Sequence, residues 1–245
     1  MAVFDLALGA LVLLFATSAG ALMILAIDRI DKFRYCLMLS SAAGAMFFSS
    51  LEMMEHSYQG SNLGIMLLGM FAGIVALLII DMLLPHIHRH IKKEEITDSK
   101  KKAALIASSI ALHNIPEGFA VASAFAASAP LGWVITASIA LQDIPEGALV
   151  SAPLVAYGVG AQRSVFWGIF SGAVEASAAI AGYFLLSSFI QAVPLALSFC
   201  SGAMLYIVFI ELLPDAIEDG MWKIAGASFI IGILAALALA SVLPG

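Results

Sequence analysis

Residues 103–162 read AALIASSI ALHNIPEGFA VASAFAASAP LGWVITASIA LQDIPEGALV SAPLVAYGVG AQ, 60 consecutive positions without lysine or arginine. A membrane helix needs about 20 predominantly apolar residues. The stretch is too long for one span and fits two, joined by a Ser, Pro and Gly turn at residues 128–132. Outward from it, residues 35–88 and 164–222 are also free of basic side chains, over 54 and 59 positions. Each holds two further spans, with turns at 56–62 and 187–194. The ends, 1–28 and 224–245, hold one each. The expected fold is an all-α polytopic membrane protein with eight transmembrane helices. They are placed at about 6–27, 35–54, 63–84, 103–127, 131–157, 165–186, 192–213 and 224–242, in a single transmembrane domain over 1–245.

Composition agrees. The chain is 62% hydrophobic and 11% charged, with a mean hydropathy of +1.04, against about 45–50% and about 25% for soluble domains. This excludes a soluble enzyme, a disordered chain and a nucleic-acid binder. Cys36 and Cys200 sit in apolar runs and build no disulfide framework. All 11 Lys and Arg fall in odd-numbered loops. The positive-inside tendency puts those loops in the cytoplasm and both termini on the outer side. The first span has no basic leader and carries Asp5, so it is read as a retained span rather than a secretory signal. The cytoplasmic third loop, 85–102, contains His86, His88 and His90.

Ionisable groups in mid-membrane are costly and point to function. His113, Glu117, Asp143, Glu146 and Glu175 fall well inside spans four to six, with Asp81 and Glu211 near the inner ends of spans three and seven. No basic residue falls inside these spans. The carboxylates must be protonated, solvated or bound to a cation. Their spacing points to the cation. In His113-Asn-Ile-Pro-Glu-Gly118, His113 and Glu117 are four apart and share a helix face. Gln142-Asp-Ile-Pro-Glu-Gly147 repeats the pattern, with Gln142 and Glu146 on one face and Asp143 displaced as Asn114 is. Packed together, the two helices would set Glu117 and Glu146 between two ligand groups, so that they bridge two ions.

Pro116 and Pro145 cannot donate to the carbonyls of Leu112 and Leu141. Each helix is expected to kink there, and interrupted helices in matching positions mark transport sites. Gly118 and Gly147 allow close helix approach. Imidazole, carboxylate and amide oxygen together suit zinc and related first-row metals better than calcium. Two divalent ions would neutralise Glu117, Asp143, Glu146 and Glu175.

Other residues leave two readings open. Glu175 alone reads equally as a protonated hydrogen-bonding group or as a ligand. Met46, in a run of small residues, reads as packing. Glu52, Glu55 and His56 form a solvated helix end or a metal-collecting vestibule. His86, His88 and His90 form a metal-handling exit or a solvated surface.

The two motifs resemble the fourth- and fifth-span signatures of the ZIP (ZRT/IRT-like) divalent metal transporters, the second in the variant of the GufA-like branch. The resemblance implies carriage of Zn2+ and other divalent metals into the cytoplasm across a cell membrane (the inner membrane if bacterial), and Gln142, where many members carry histidine, extends the expected cargo to Cd2+, iron and manganese. It implies no enzymatic activity, no nucleic-acid partner, a lipid setting and a homodimer. It also implies an elevator-like movement of spans one, four, five and six against the rest. One metal would be held by Met46, His113, Glu117, Gln142 and Glu146. The other would be held by Asn114, Glu117, Asp143, Glu146 and Glu175. Asp81, His86, His88 and Glu211 would serve the exit route, with Ile210 standing where some members carry a second histidine. The competing readings are an intramembrane zinc metalloenzyme, for which the sequence has no His-Glu-x-x-His, and a metal-gated channel.

Overall fold

A computed structural model describes the chain at residues 2–26, 30–83, 99–156 and 158–243, with the side chains of these residues except at 2, 83 and 99–112. The described residues form helices α1 (Ala2–Met23), α2 (Lys32–Gly60), α3 (Leu63–Leu83), α4 (Ser99–Ala127), α5 (Ala129–Ala156) and α6 (Ala161–Ser188). After a 3-10 turn at Ile190–Ala192 comes α7, which is α-helical over Val193–Tyr206, π-helical over Ile207–Leu212 and α-helical again over Leu213–Ile217. The last helix is α8 (Trp222–Val242). Each expected span is met by one helix. Six of these are long and apolar enough to cross a membrane among the described residues. The other two are α4 and α5, which carry the paired acidic motifs.

The ends differ from expectation for local reasons. The expected turn at 56–62 shrinks to Ser61 and Asn62, because α2 runs on to Gly60. An i,i+4 pair from Gln59 Nε2 to Glu55 Oε1 (2.9 Å) and His56 Nδ1 on the Glu52 carbonyl (2.9 Å) support that extra turn. The turn at 128–132 shrinks to Ser128, whose Oγ accepts from the Leu131 N–H at 3.2 Å and starts α5 directly, with Pro130 in its first turn. Asp31 and Asn62 likewise accept from Arg34 and Ile65 at the starts of α2 and α3. Both α4 and α5 continue as helix through Pro116, Pro145 and Pro153. The π-turn in α7 was not expected. It immediately precedes Leu213 and Pro214, whose missing N–H disturbs the regular ladder.

The eight helices pack as two groups of four. In the first, α1 packs on α5 and α6, α4 on α6 and α5, and α5 on α6. In the second, α2 packs on α8 and α7, and α3 on α7. The groups meet where α2 lies on α5 and α4 lies on α7. Glycines account for the closest backbone contacts, which fall inside each group. Gly20 and Gly147 let α1 and α5 touch backbone to backbone, and Gly44 and Gly232 do the same for α2 and α8. Gly73 and Gly202 join α3 to α7 in this way, while Gly118 lies on the α6 backbone and Gly182 on Phe119 and Ala122 of α4. The α2–α5 seam is instead a side-chain contact, in which Ala45 and Phe48 meet Val134 and Leu141, with Ala236 and Ala240 of α8 beside them.

Candidate metal site

The motif glycines decide which neighbours the acidic residues meet. A Cβ at position 118 would lie 2.2 Å from the backbone oxygen of Glu175, so α6 approaches α4 at the residue after Glu117. A Cβ at 147 would lie 2.1 Å from the backbone oxygen of Thr17, so α1 approaches α5 at the residue after Glu146. Thr17 Oγ1 in turn lies 3.5 Å from Glu175 Oε2 and 3.0 Å from the Leu13 carbonyl. Two glycines thus bring four helices to one place.

There, Glu117, Asp143 and Glu146 can each offer one oxygen within 4.8 Å of the others. Gln142 Nε2 donates to Glu117 Oε1 at 2.5 Å, tying α5 to α4. Glu117, Gln142 and Glu175 are 0% exposed, and Asn114 and Asp143 are 1%. Yet Glu117 Oε2, both Asp143 oxygens, Glu175 Oε1 and Gln142 Oε1 have no hydrogen-bond partner. Buried polar atoms are nearly always paired, and an orphan needs an explanation. Two ionised carboxylates at the 4.8 Å limit repel by about 3 kcal/mol at a protein's effective dielectric. Four orphaned carboxylate oxygens beside an orphaned amide oxygen, with no Lys or Arg paired to them among the described residues, have the chemistry of a cation site. Glu117, Asp143 and Glu146 could hold a metal ion between α4 and α5.

Of the other expected site residues, those described lie on α2, α3, α4 and α7. His113, at the half-buried edge, sets Nε2 3.2 Å from Glu211 Oε2 in the π-turn of α7. An imidazole from α4 thus lies beside Glu211, whose chain neighbour is Ile210. Met46 is 2% exposed within the main apolar core, on α2 of the opposite group. Asp81, at the end of α3, accepts from Tyr206 Oη at 3.2 Å, also in the opposite group. Glu52, Glu55 and His56 lie on the last turns of α2, apart from the carboxylate cluster. His86, His88 and His90 lie outside the described residues. Sequence reading missed Thr17, a single hydroxyl in an apolar span 158 residues from Glu175, and it missed the role of Tyr206.

Comparison with known proteins gives a consistent picture. A family model described as ZIP Zinc transporter matches residues 90–243, which include both acidic motifs. The chain is 37% identical over 159 residues to the zinc transporter GufA of Myxococcus xanthus, covering 64% of this chain and 63% of that protein. It is 38% identical over 148 residues to the human zinc transporter ZIP11, covering 58% and 43%. Against the zinc transporter ZupT of Chlorobium chlorochromatii it is 32% identical over 241 residues, covering 89% and 90%. The match therefore spans less than two thirds of the first two relatives and nearly all of the third.

Proposed function

The chain belongs to the ZIP zinc transporter family, and on that premise we propose that it carries Zn2+ and related divalent ions across the membrane into the cytoplasm. The observation that carries this reading is the set of buried carboxylate oxygens without partners on Glu117, Asp143 and Glu175. Two ions are held, one by Met46, His113, Glu117, Gln142 and Glu146, the other by Asn114, Glu117, Asp143, Glu146 and Glu175. Glu117 and Glu146 bridge them. The sites bind dehydrated ions because carboxylate charge replaces the lost water and no ammonium competes for it.

Movement is of the elevator type. The four helices α1, α4, α5 and α6 carry every proposed ligand except Met46 and slide as one body against α2, α3, α7 and α8. The confinement of glycine-mediated backbone contacts to the interior of each group supports this division. Sliding takes the ion away from the Met46 thioether and leaves the oxygen ligands with it. Asp81 and Glu211 then receive it near the inner ends of α3 and α7.

The test is uptake of zinc by vesicles containing the purified protein, set against empty vesicles and against release of peptide fragments. Saturable zinc uptake without peptide turnover is the expected result. Equal flux in both kinds of vesicle overturns the reading, and flux that rises linearly with zinc concentration marks a channel instead.

Selectivity follows from Gln142. An amide oxygen is a weaker zinc ligand than imidazole, so cadmium, iron and manganese should compete with zinc for uptake. Gln142→His should narrow that competition about ten-fold in favour of zinc, the equivalent of ~1.4 kcal/mol. Competition uptake measures it, and sharp zinc exclusivity in the unaltered protein would count against the assignment.

A further inference from the structure

Most buried hydroxyls on these helices find a carbonyl, and Ser57, Ser151 and Ser201 reach those of Pro194, Ser164 and Ser50 in another helix. Thr17, Ser49, Ser50, Ser123 and Thr136 each donate to the carbonyl four residues earlier, at 2.7–3.1 Å, and Ser40 does so to Cys36. This back-bonding is how a helix satisfies a hydroxyl in oil. Ser138 departs from it. Its side chain is 0% exposed, and its Oγ has no hydrogen-bond partner. A small side chain with a carbonyl normally in reach has no local reason to be orphaned.

Its position supplies a reason. Ser138 lies four residues before Gln142 and eight before Glu146, so the three form a column along one face of α5, one turn apart. Gln142 Oε1, one turn away, is also buried and without a partner. Ser138 further lies between Val134 and Leu141, which meet Ala45 and Phe48 of α2. By helical spacing it shares the face of α5 that carries those two residues, on the side of Gln142 toward the α4–α5 turn, which carries no Lys or Arg.

We infer that Ser138 is a further ligand on the ion's path: its hydroxyl oxygen, with Gln142 Oε1, takes a partly dehydrated divalent cation one helical turn before the carboxylate cluster. The inference rests on the transport reading above. A neutral hydroxyl and a neutral amide suit this step, since they replace water oxygens without holding the ion as tightly as carboxylates do. The hydroxyl keeps its proton, so no acid–base chemistry is involved.

The test uses the full chain in vesicles, with zinc and cadmium as probes. Ser138→Ala should raise the half-saturating zinc concentration about five-fold, while metal retained by the purified protein stays at the unaltered level. Melting temperature without metal should hold or rise, because an unsatisfied buried hydroxyl is lost. Ser138→Cys puts a soft sulfur in the same volume and should shift the cadmium-to-zinc uptake ratio about five-fold toward cadmium. An unchanged half-saturation in Ser138→Ala together with an unchanged ratio in Ser138→Cys overturns the inference. So does a lowered melting temperature in Ser138→Ala, which would mark a structural hydroxyl. If the unaltered protein moves no zinc, the transport reading fails first, and retained metal in the purified protein still reports on the carboxylate cluster separately.

Discussion

Glu117→Ala, correctly inserted, is expected to cut zinc uptake at least 100-fold and to lose most of the metal the purified protein retains. Glu117 is fully buried, faces Asp143 and Glu146, and is held by Gln142. As a bridge it would contact both ions. Removing one partner from a buried charge assembly typically costs about 3–5 kcal/mol, which is more than a hundred-fold in affinity. Glu117→Gln keeps the side-chain volume and separates packing from charge. In chelator it should melt no lower than the unaltered protein, since one source of repulsion within the cluster has gone. On adding zinc, the unaltered protein should gain stability by mass action, and the Glu117→Gln protein should gain little. Full-rate uptake by either variant would remove Glu117 from the ion's path.

Gly118→Ala is expected to be among the most damaging single methyls in the site region. The added carbon would sit 2.2 Å from the Glu175 backbone oxygen and 2.9 Å from the Ala178 Cβ. A backbone atom cannot turn aside as a side chain can. Helix α6 must withdraw and take Glu175 with it, so the effect should appear as lost metal retention and a lowered melting temperature together. A clash with rigid backbone belongs at the upper end of the about 1–3 kcal/mol that overpacking costs, above the ~1 kcal/mol that alanine gains over glycine in helix propensity. Gly226 in α8 provides the control, because a Cβ there meets nothing within 4 Å. Gly226→Ala should hold or raise the melting temperature. Equal behaviour of the two variants would show that the α4–α6 contact does not position the site.

How much of this was legible beforehand depended on the range of each signal. The eight helices could be read from basic-free intervals, because a span's length is set by the bilayer rather than by a partner. The site motifs could be read because His113 and Glu117, or Gln142 and Glu146, are related within one helix. Ends were read less well: Gln59 and Ser128 extend or start helices through side-chain bonds that look like turn residues in composition. Contacts between distant helices were not legible. Nothing in the sequence near His113 announces Glu211, nor anything near Glu175 Thr17. The π-turn at Ile207–Leu212 depends on a register change that hydrophobic periodicity does not record.

The polarity of α4 and α5 also bears on biogenesis. Asp143 alone would cost about 3 kcal/mol at the centre of a helix facing lipid, and α5 also carries Glu146. A nascent chain leaving the ribosome presents these two helices before α6 has been made. They have to stay shielded, by the insertion machinery or by α1 already waiting in the bilayer, until Gly118 and Gly147 can close against their partners. Assembly order is thereby written into the polarity of α4 and α5.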